Sequence, residues 1–376
     1  MYQNYLITGA TGFLGRAVVQ LLLAHGCRVL ALVKNSDPLI CTLPNHVAVF
    51  YGDLTDKESL RDFFAAGGDS FCVLHCAGIV SIASKPDEAI YRVNVQGTRN
   101  IVDLSREFGA GRLIYVSSVH AIPEKPAPET ITEPDRFAPD EILGDYGKSK
   151  AMATALVLEA AQNGLNASVV LPSGIIGPGD LARGNMTRML LAFCRGQLPL
   201  GVKGGYDFVD VRDVAVGVLA CAERGKAGEC YILSGHYTTI QDMFALTASQ
   251  LDRKAPKLCV PATLASCAAP VFEKIAQLRG ERPFFTPYAI AVLRSNGRFS
   301  NAKATAMLGY HARPLRETLQ SMIGEKSWTS QGEFVWTQEM VDETIAEYEK
   351  MLQDIKDGMM YSKTVDGETD LSLIHI

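Results

Sequence analysis

Tyr146 and Lys150 stand four residues apart in Tyr146-Gly147-Lys148-Ser149-Lys150, at the head of an alanine-rich stretch that runs to Gln162. On a helix, side chains at that spacing share one face, so the phenol and the ammonium point the same way. A nearby cation favours phenolate and draws a tyrosine pKa down from about 10, toward the range a general acid needs. Many helix surfaces carry such a pair, and alone it decides nothing. The second chemical stretch is Thr-Gly-Ala-Thr-Gly-Phe-Leu-Gly, residues 8–15, between a short apolar run and a helical pattern. Gly9 permits a sharp turn, Gly12 a close approach of backbone to a pyrophosphate, and Gly15 close packing of helix on strand. The helix N-terminus then offers N–H groups to the anion.

Both stretches need a frame. Tyr5–Ile7, Arg28–Val33, Val47–Tyr51, Phe71–His75, Leu113–Val116 and Ala167–Leu171 are apolar runs of strand length. Helical patterns alternate with them: Phe13 to Leu22, Thr55 to Phe64 behind a Thr55-x-x-Glu58 capping box, Asp87 to Phe108, and Tyr146 to Gln162. This alternation predicts an α/β fold, a doubly wound parallel sheet of the Rossmann type, with strand ends and ligand along one edge. Residues 1–180 and 208–235 are expected to form this dinucleotide-binding domain, with Phe208–Arg224 as a helix and Cys230–Leu233 as a strand. Residues 181–207 and 236–325 read as a smaller, mostly helical substrate domain. Residues 326–376 read as an extension, a charged helix over Thr337–Asp357 and then a disordered tail.

Composition narrows the function. The 376 residues are 47% hydrophobic and 20% charged, a globular balance, and the net charge of −5 comes without a basic run, which argues against nucleic acid as partner. Nine cysteines without a C-x-x-C pair suit a reducing compartment, and no metal site is expected. No signal peptide precedes the first strand, so a cytoplasmic protein is expected. The apolar stretch Leu258–Phe272, broken by Pro261 and Pro270, is shorter than the roughly 20 residues of a membrane span. It reads as a buried or pocket-lining helix rather than one resting on a membrane.

The glycine turn, Asp53, Cys76-Ala77-Gly78, Ser118 and Tyr146/Lys150 occur in this order, and together they make residues 3–320 resemble the extended short-chain dehydrogenase/reductase family. The resemblance implies that Tyr146 exchanges a proton with the substrate oxygen, Ser118 hydrogen-bonds the reacting carbonyl, and Lys150 holds the nicotinamide ribose and tunes Tyr146. It further implies a cofactor site of Gly9, Thr11, Gly12, Phe13, Leu14 and Gly15. Asp53 and Leu54 would hold the adenine, and Cys76, Ala77 and Gly78 would line the cofactor. Pro172 and Ser173 would sit near the nicotinamide. Asn94 matches a family position near the cofactor, with a helix-packing role as the alternative.

An NAD site places a carboxylate at the end of the second strand, about 20 residues past the glycines. Here Val33-Lys34-Asn35 stands there, and the cation of Lys34 suits a 2′-phosphate, so NADP(H) is expected over NAD(H); Asp37 keeps NAD(H) as the alternative.

The resemblance also sorts substrates. Sugar dehydratases of the family carry Thr-Asp-Glu where this chain has Ser118-Val119-His120, which lacks the carboxylates that would eliminate water. The epimerase pattern Arg-Asp-Tyr-Ile-His-Val resembles Tyr206-Asp207-Phe208-Val209-Asp210-Val211, so Tyr206 replaces a diphosphate-gripping arginine and Asp210 a histidine. The look is that of the dihydroflavonol-reductase-like and 3β-hydroxysteroid-dehydrogenase-like branch. A small or medium, partly apolar carbonyl compound or secondary alcohol is the expected substrate, with His120 and Tyr206 as candidate substrate contacts; for His120 the commoner alternative is to fill hydrogen bonds in its loop. The alternatives are a nucleotide-sugar epimerase with tightly held NAD and a non-catalytic NADP(H)-binding redox sensor. Helices flanking the sheet could form the seam of a homodimer.

Overall fold

Buried apolar runs, each closed by glycine, proline or a small polar residue, build the strands of the computed structural model. It describes residues 1–82, 87–198, 201–251, 254–255, 259–278 and 286–323, with positions 342, 345, 346, 349, 350 and 353. The strands are β1 (Asn4–Thr8), β2 (Arg28–Val33), β3 (Ala48–Tyr51), β4 (Phe71–His75), β5 (Arg112–Val116), β6 (Ala167–Pro172), β7 (Gly174–Ile176), β8 (Gly201–Val202), β9 (Gly205–Asp210), β10 (Cys230–Leu233), β11 (His236–Thr239) and β12 (Cys259–Val260). The helices are α1 (Phe13–Ala24), α2 (Arg61–Ala65), α3 (Glu88–Tyr91), α4 (Thr98–Glu107), α5 (Asp145–Gln162), α6 (Asn185–Cys194), α7 (Val211–Arg224), α8 (Ile240–Gln250), α9 (Ala262–Leu278), α10 (Pro287–Arg294), α11 (Ala302–Leu308) and α12 (Leu315–Ile323).

Seven strands form one parallel sheet in the order β3-β2-β1-β4-β5-β6-β10, with helices on both faces: the expected doubly wound fold. β1, β4 and β5 lie at its centre and are buried on both sides, as parallel strands covered by helices must be. Their carboxyl ends carry Thr8, His75 and Val116, and the strand order reverses between β1 and β4. That crevice is where an open α/β sheet binds its ligand. A three-stranded sheet, β11-β9-β7, and the pair β12-β8 stand beside it with α6, α8, α9, α10 and α12.

Several local expectations change. Phe208–Asp210 belongs to β9, and α7 starts only at Val211, because the Asp210 carboxylate accepts the Arg212 N–H and caps it. No capping box forms at Thr55, whose hydroxyl donates to Asp53; Asp56 accepts the Glu58 N–H instead, and a 3₁₀ turn at Glu58–Leu60 precedes the short α2. The helix expected over Asp87–Phe108 is interrupted by a π-helical turn at Arg92–Gly97, which carries Asn94. Such turns concentrate at functional sites. The apolar stretch around α9 is not buried as a whole: Leu264, Val271 and Phe272 are exposed on one face. The described positions between 342 and 353 are helical, and Ile345 packs against the core cluster that includes α1 and α7; the tail from Thr364 lies outside the described residues. Among the described residues, no helix is long and apolar enough to cross a membrane, and no three His, Cys, Asp or Glu side chains gather as a metal site.

Candidate active site

The glycine turn joins β1 to α1 at the crevice. Gly9 has a φ of +72°, and a Cβ there would lie 2.7 Å from the Ala77 nitrogen. A side chain at Gly15 would collide with the Gly9 carbonyl oxygen, so α1 rests on the turn itself. Gly12 begins α1 without a side-chain cap, and no acidic residue occupies the first turn. The first N–H groups of the helix are thus left for an anion rather than for the protein's own carboxylates. Leu14 is buried, while Thr11 donates its hydroxyl to Asp37 at 2.6 Å. These residues fit a dinucleotide pyrophosphate.

Behind the turn, a chain of hydrogen bonds fixes the neighbouring strand ends. Thr98 donates its hydroxyl to the Asn94 carbonyl at 2.6 Å and lies 3.0 Å from His75 Nε2; His75 Nδ1 lies 2.7 Å from the Thr8 hydroxyl. With Thr98 already donating, His75 carries its proton on Nε2 and accepts from Thr8 at Nδ1. Burial holds the His75 pKa down to about 3, so the ring stays neutral, and Thr8 also accepts the Ala77 N–H. The residues Cys76-Ala77-Gly78 are held open in this way. Asn94 is fully engaged: Oδ1 accepts the Ile79 N–H at 2.8 Å, and Nδ2 donates to the Ile79 carbonyl and to Ser149 Oγ. Its side chain clamps the 76–79 loop to α5. A Cβ on Gly78 would come within 3.3 Å of both Lys150 Nζ and Asn94 Oδ1, so the three converge on one spot.

At the ends of β2 and β3, Lys34 and Asp53 form an ion pair at 3.0 Å, both side chains partly exposed. Asp53 also accepts the Thr55 N–H and hydroxyl, which with Lys34 hold its pKa down to about 2. Leu54 is buried, its carbonyl accepting from Asn100 at 2.7 Å. Pro172 ends β6, and Ser173 follows with its N–H on the Leu233 carbonyl.

The reacting residues meet at the end of β5. Ser118 starts a 3₁₀ turn over Val119–Ala121, its Oγ accepting the His120 N–H at 3.2 Å, and its side chain lies near enough to the Tyr146 phenol to draw the phenol's pKa down. Gly147 makes this meeting possible: a Cβ there would sit 2.7 Å from the His120 carbonyl oxygen and 2.6 Å from Ile142. Sequence reasoning passed over that glycine, since the contact joins α5 to a turn distant in the chain. Lys150 is buried, but its amine turns to the sheet, donating to the Val116 carbonyl at 2.8 Å and the Tyr115 hydroxyl at 3.3 Å. Burial lowers its pKa to about 8. The expected lowering of the Tyr146 pKa is not found: burial raises it, and Ser118, not Lys150, is the group that opposes the rise. Spacing puts both side chains on one face of the helix; it does not say which acceptor the amine will choose.

Beyond Tyr146 the wall is aromatic. The His120 ring packs edge-on to Tyr146 at 5.8 Å and stacks on Tyr206 at 5.4 Å, with Nε2 3.0 Å from the Tyr206 hydroxyl. Burial pulls the His120 pKa down to about 4 and pushes that of Tyr206 well up, so the pair is neutral at ordinary pH. Asp210, in contrast, is buried against Arg212 at 2.8 Å and takes no part in this wall. His120 and Tyr206 line a cavity of about 300 Å³ with Ile131, Phe299 and Tyr288, and two carboxylates, Glu124 and Glu141, also face it. Tyr288, which the sequence did not single out, comes from α10; no Arg or Lys lines the cavity among the described residues.

Residues 5–234 match the family model described as NAD dependent epimerase/dehydratase family. The chain is 32% identical over 344 residues to a protein of Synechocystis sp. provisionally named dihydroflavonol 4-reductase, covering 90% of this chain and 98% of that one. It is 30% identical over 306 residues to sterol demethylase protein B of Methylococcus capsulatus, covering 81% and 92%. The crystal structure of gox2253 is 31% identical with a TM-score of 0.74, covering 85% of this chain and 97% of that one.

Proposed function

The chain belongs to the NAD dependent epimerase/dehydratase family as an NAD(P)-dependent oxidoreductase of the extended short-chain type, and on that premise we propose that it is an NADP(H)-dependent carbonyl reductase. The observation that carries this reading is the cavity at His120, the ring that packs on Tyr146: mostly apolar and aromatic, with Glu124 and Glu141 on its wall and no guanidinium among the described residues. Two carboxylates repel a diphosphate, and none of the described lining residues is a bidentate cation to hold one. That favours an uncharged, partly apolar ketone or aldehyde, or the matching secondary alcohol, over a nucleotide sugar. Retention of both Tyr146 and Lys150 speaks for catalysis rather than cofactor sensing. Nine free cysteines suit a cytoplasmic setting.

The nicotinamide, when bound, supplies the hydride; the rest is the work of this chain. The glycine turn from Gly9 to Gly15 takes the pyrophosphate, Asp53 and Leu54 flank the adenine, and Ala77, Gly78, Pro172 and Ser173 line the path to the reacting end. Ser118 donates to the substrate oxygen and polarises the carbonyl, while Tyr146 delivers the proton. Lys150, a buried cation at the same edge, holds ribose hydroxyls. His120 and Tyr206, neutral and locked together, shape the wall without competing for that proton. Incubation with NADPH and a panel of aryl and alkyl ketones tests the reading by absorbance at the reduced cofactor's band. Ketone-dependent oxidation that UDP-glucose does not inhibit is expected; tight copurified NAD with stabilisation by UDP-glucose would overturn it.

Lys34 supports the choice of cofactor. Asp37, the next carboxylate in the sequence after β2, already accepts Thr11 and the Leu39 N–H, and Lys34 stands half-exposed with the exchangeable Asp53 as its ion-pair partner among the described residues. A dianionic 2′-phosphate would outcompete that partner. Lys34→Asp should therefore weaken NADP⁺ binding by roughly 10- to 100-fold, the worth of a charge-assisted hydrogen bond, and leave NAD⁺ binding within a few-fold. Titration calorimetry with both cofactors measures it, and tighter NADP⁺ binding by the variant would reverse the assignment.

A further inference from the structure

We propose that α9 is a lipid-docking helix that rests in the headgroup layer of an anionic membrane. Leu264, Val271, Ile275 and Leu278 follow one another at steps of seven, four and three residues and form a stripe, with Phe272 beside it. All five are exposed, Leu278 by 81% and Leu264 by 62%. Large apolar side chains gathered in this way on one helix mark an interaction surface, whereas single exposed ones do not. The opposite face is occupied: Ala269 packs with Ile290 of α10 and Val202 of β8, and Glu273 is buried there.

Charge selects the occupant. Lys274 is the exposed ionic residue of α9, and residues 253–282 hold six Lys or Arg against two Glu in a chain whose net charge is −5. An apolar helical face with an exposed lysine, in a stretch of sequence where Lys and Arg outnumber Glu, is the composition of an interfacial helix, and anionic headgroups attract such segments. A second copy fits less well, since a twofold contact would set this cationic region against itself. The described positions of the chain's C-terminal part lie elsewhere, with Ile345 packed on the core cluster that includes α1 and Glu349 near enough to His25 to act on its charge. At 17 residues and with Pro270 inside, α9 lies on a bilayer rather than through it. It also rests on the helix that gives Tyr288 and Val292 to the cavity, so a lipid surface would sit one helix layer from it.

Sedimentation of the full chain with sucrose-loaded vesicles, phosphatidylcholine alone or mixed with phosphatidylglycerol, tests the proposal. The wild type should pellet with the anionic vesicles and be released by high salt. Phe272→Glu combined with Ile275→Glu should lower the partition coefficient by about tenfold or more, since two apolar side chains no longer leave water. Lys274→Glu should weaken binding to the anionic vesicles alone. Both variants change exposed positions and should keep the wild-type melting temperature. A wild type that stays in the supernatant with both vesicles, or a double variant that pellets as the wild type does, overturns the proposal. So does a dimer by light scattering that the double variant splits, which would assign the face to a second copy.

Discussion

Tyr146→Phe will lower kcat for carbonyl reduction by about 10²–10⁴-fold, the range a positioned general acid contributes, while cofactor affinity stays within a few-fold of wild type. The Tyr146 phenol faces Ser118, whose hydroxyl polarises the same substrate oxygen but is a far weaker acid than a phenol. His120 is the nearest alternative acid, but burial keeps it neutral with a pKa near 4, and its Nε2 is already engaged with Tyr206. It cannot stand in as a proton donor at neutral pH. The ring of Tyr146 packs edge-on to His120, and Phe preserves that contact, so the variant should fold and melt as wild type does. Steady-state kinetics with the best ketone of the panel, together with cofactor titration, separate the two effects. Undiminished turnover would remove Tyr146 from the mechanism; equal loss of turnover and cofactor binding would make it a binding residue instead.

What the sequence made legible was local. Apolar runs such as Phe71–His75 and Arg28–Val33, each followed by a turn signal, state their own strand character, and the glycine turn states its own curvature. Family resemblance then ordered Ser118, Tyr146 and Lys150 along one edge. The remainder depends on contacts between segments far apart in the chain. Gly147 reads as a poor helix residue until the His120 carbonyl is seen 2.7 Å from where its side chain would be. Lys34 reads as a free cation until Asp53, on the neighbouring loop, is found 3.0 Å away. Tyr288 lies more than a hundred residues past the catalytic pair, and nothing in its surroundings in the sequence connects it to the cavity. The apolar stretch of α9 is the converse case. Its composition alone suggests burial, and only the packed structure shows that one side of the helix meets α10 and β8 while Leu264, Val271 and Phe272 stay exposed on the other.

Lys150 should give the enzyme an alkaline limit near pH 8 while making the fold firmer above it. Burial drops its pKa from 10.5 to about 8, so below pH 8 the folded protein carries a poorly solvated ammonium that the unfolded chain would hold in water. Between about pH 8 and 10 the folded state has released that proton and the unfolded state still binds it, so stability rises with pH across the window. A shift of this size is worth on the order of 3 kcal/mol when the whole window is crossed. Other groups titrate there too, but they are common to wild type and Lys150→Met and cancel in the difference. Urea melts of both proteins at pH 7.5 and pH 10 should therefore show a stability gap that moves by about 1–3 kcal/mol in favour of the wild type at the higher pH. Activity should move the opposite way. The Tyr146 pKa is raised, so its proton is retained well past pH 8, and a fall in kcat/KM there reports the loss of the Lys150 cation. The two profiles cross because one charge is unfavourable for the fold and needed for the reaction. A wild-type rate that stays flat to pH 10, or a Lys150→Met protein whose stability climbs as the wild type's does, would show that the amine is not the titrating group.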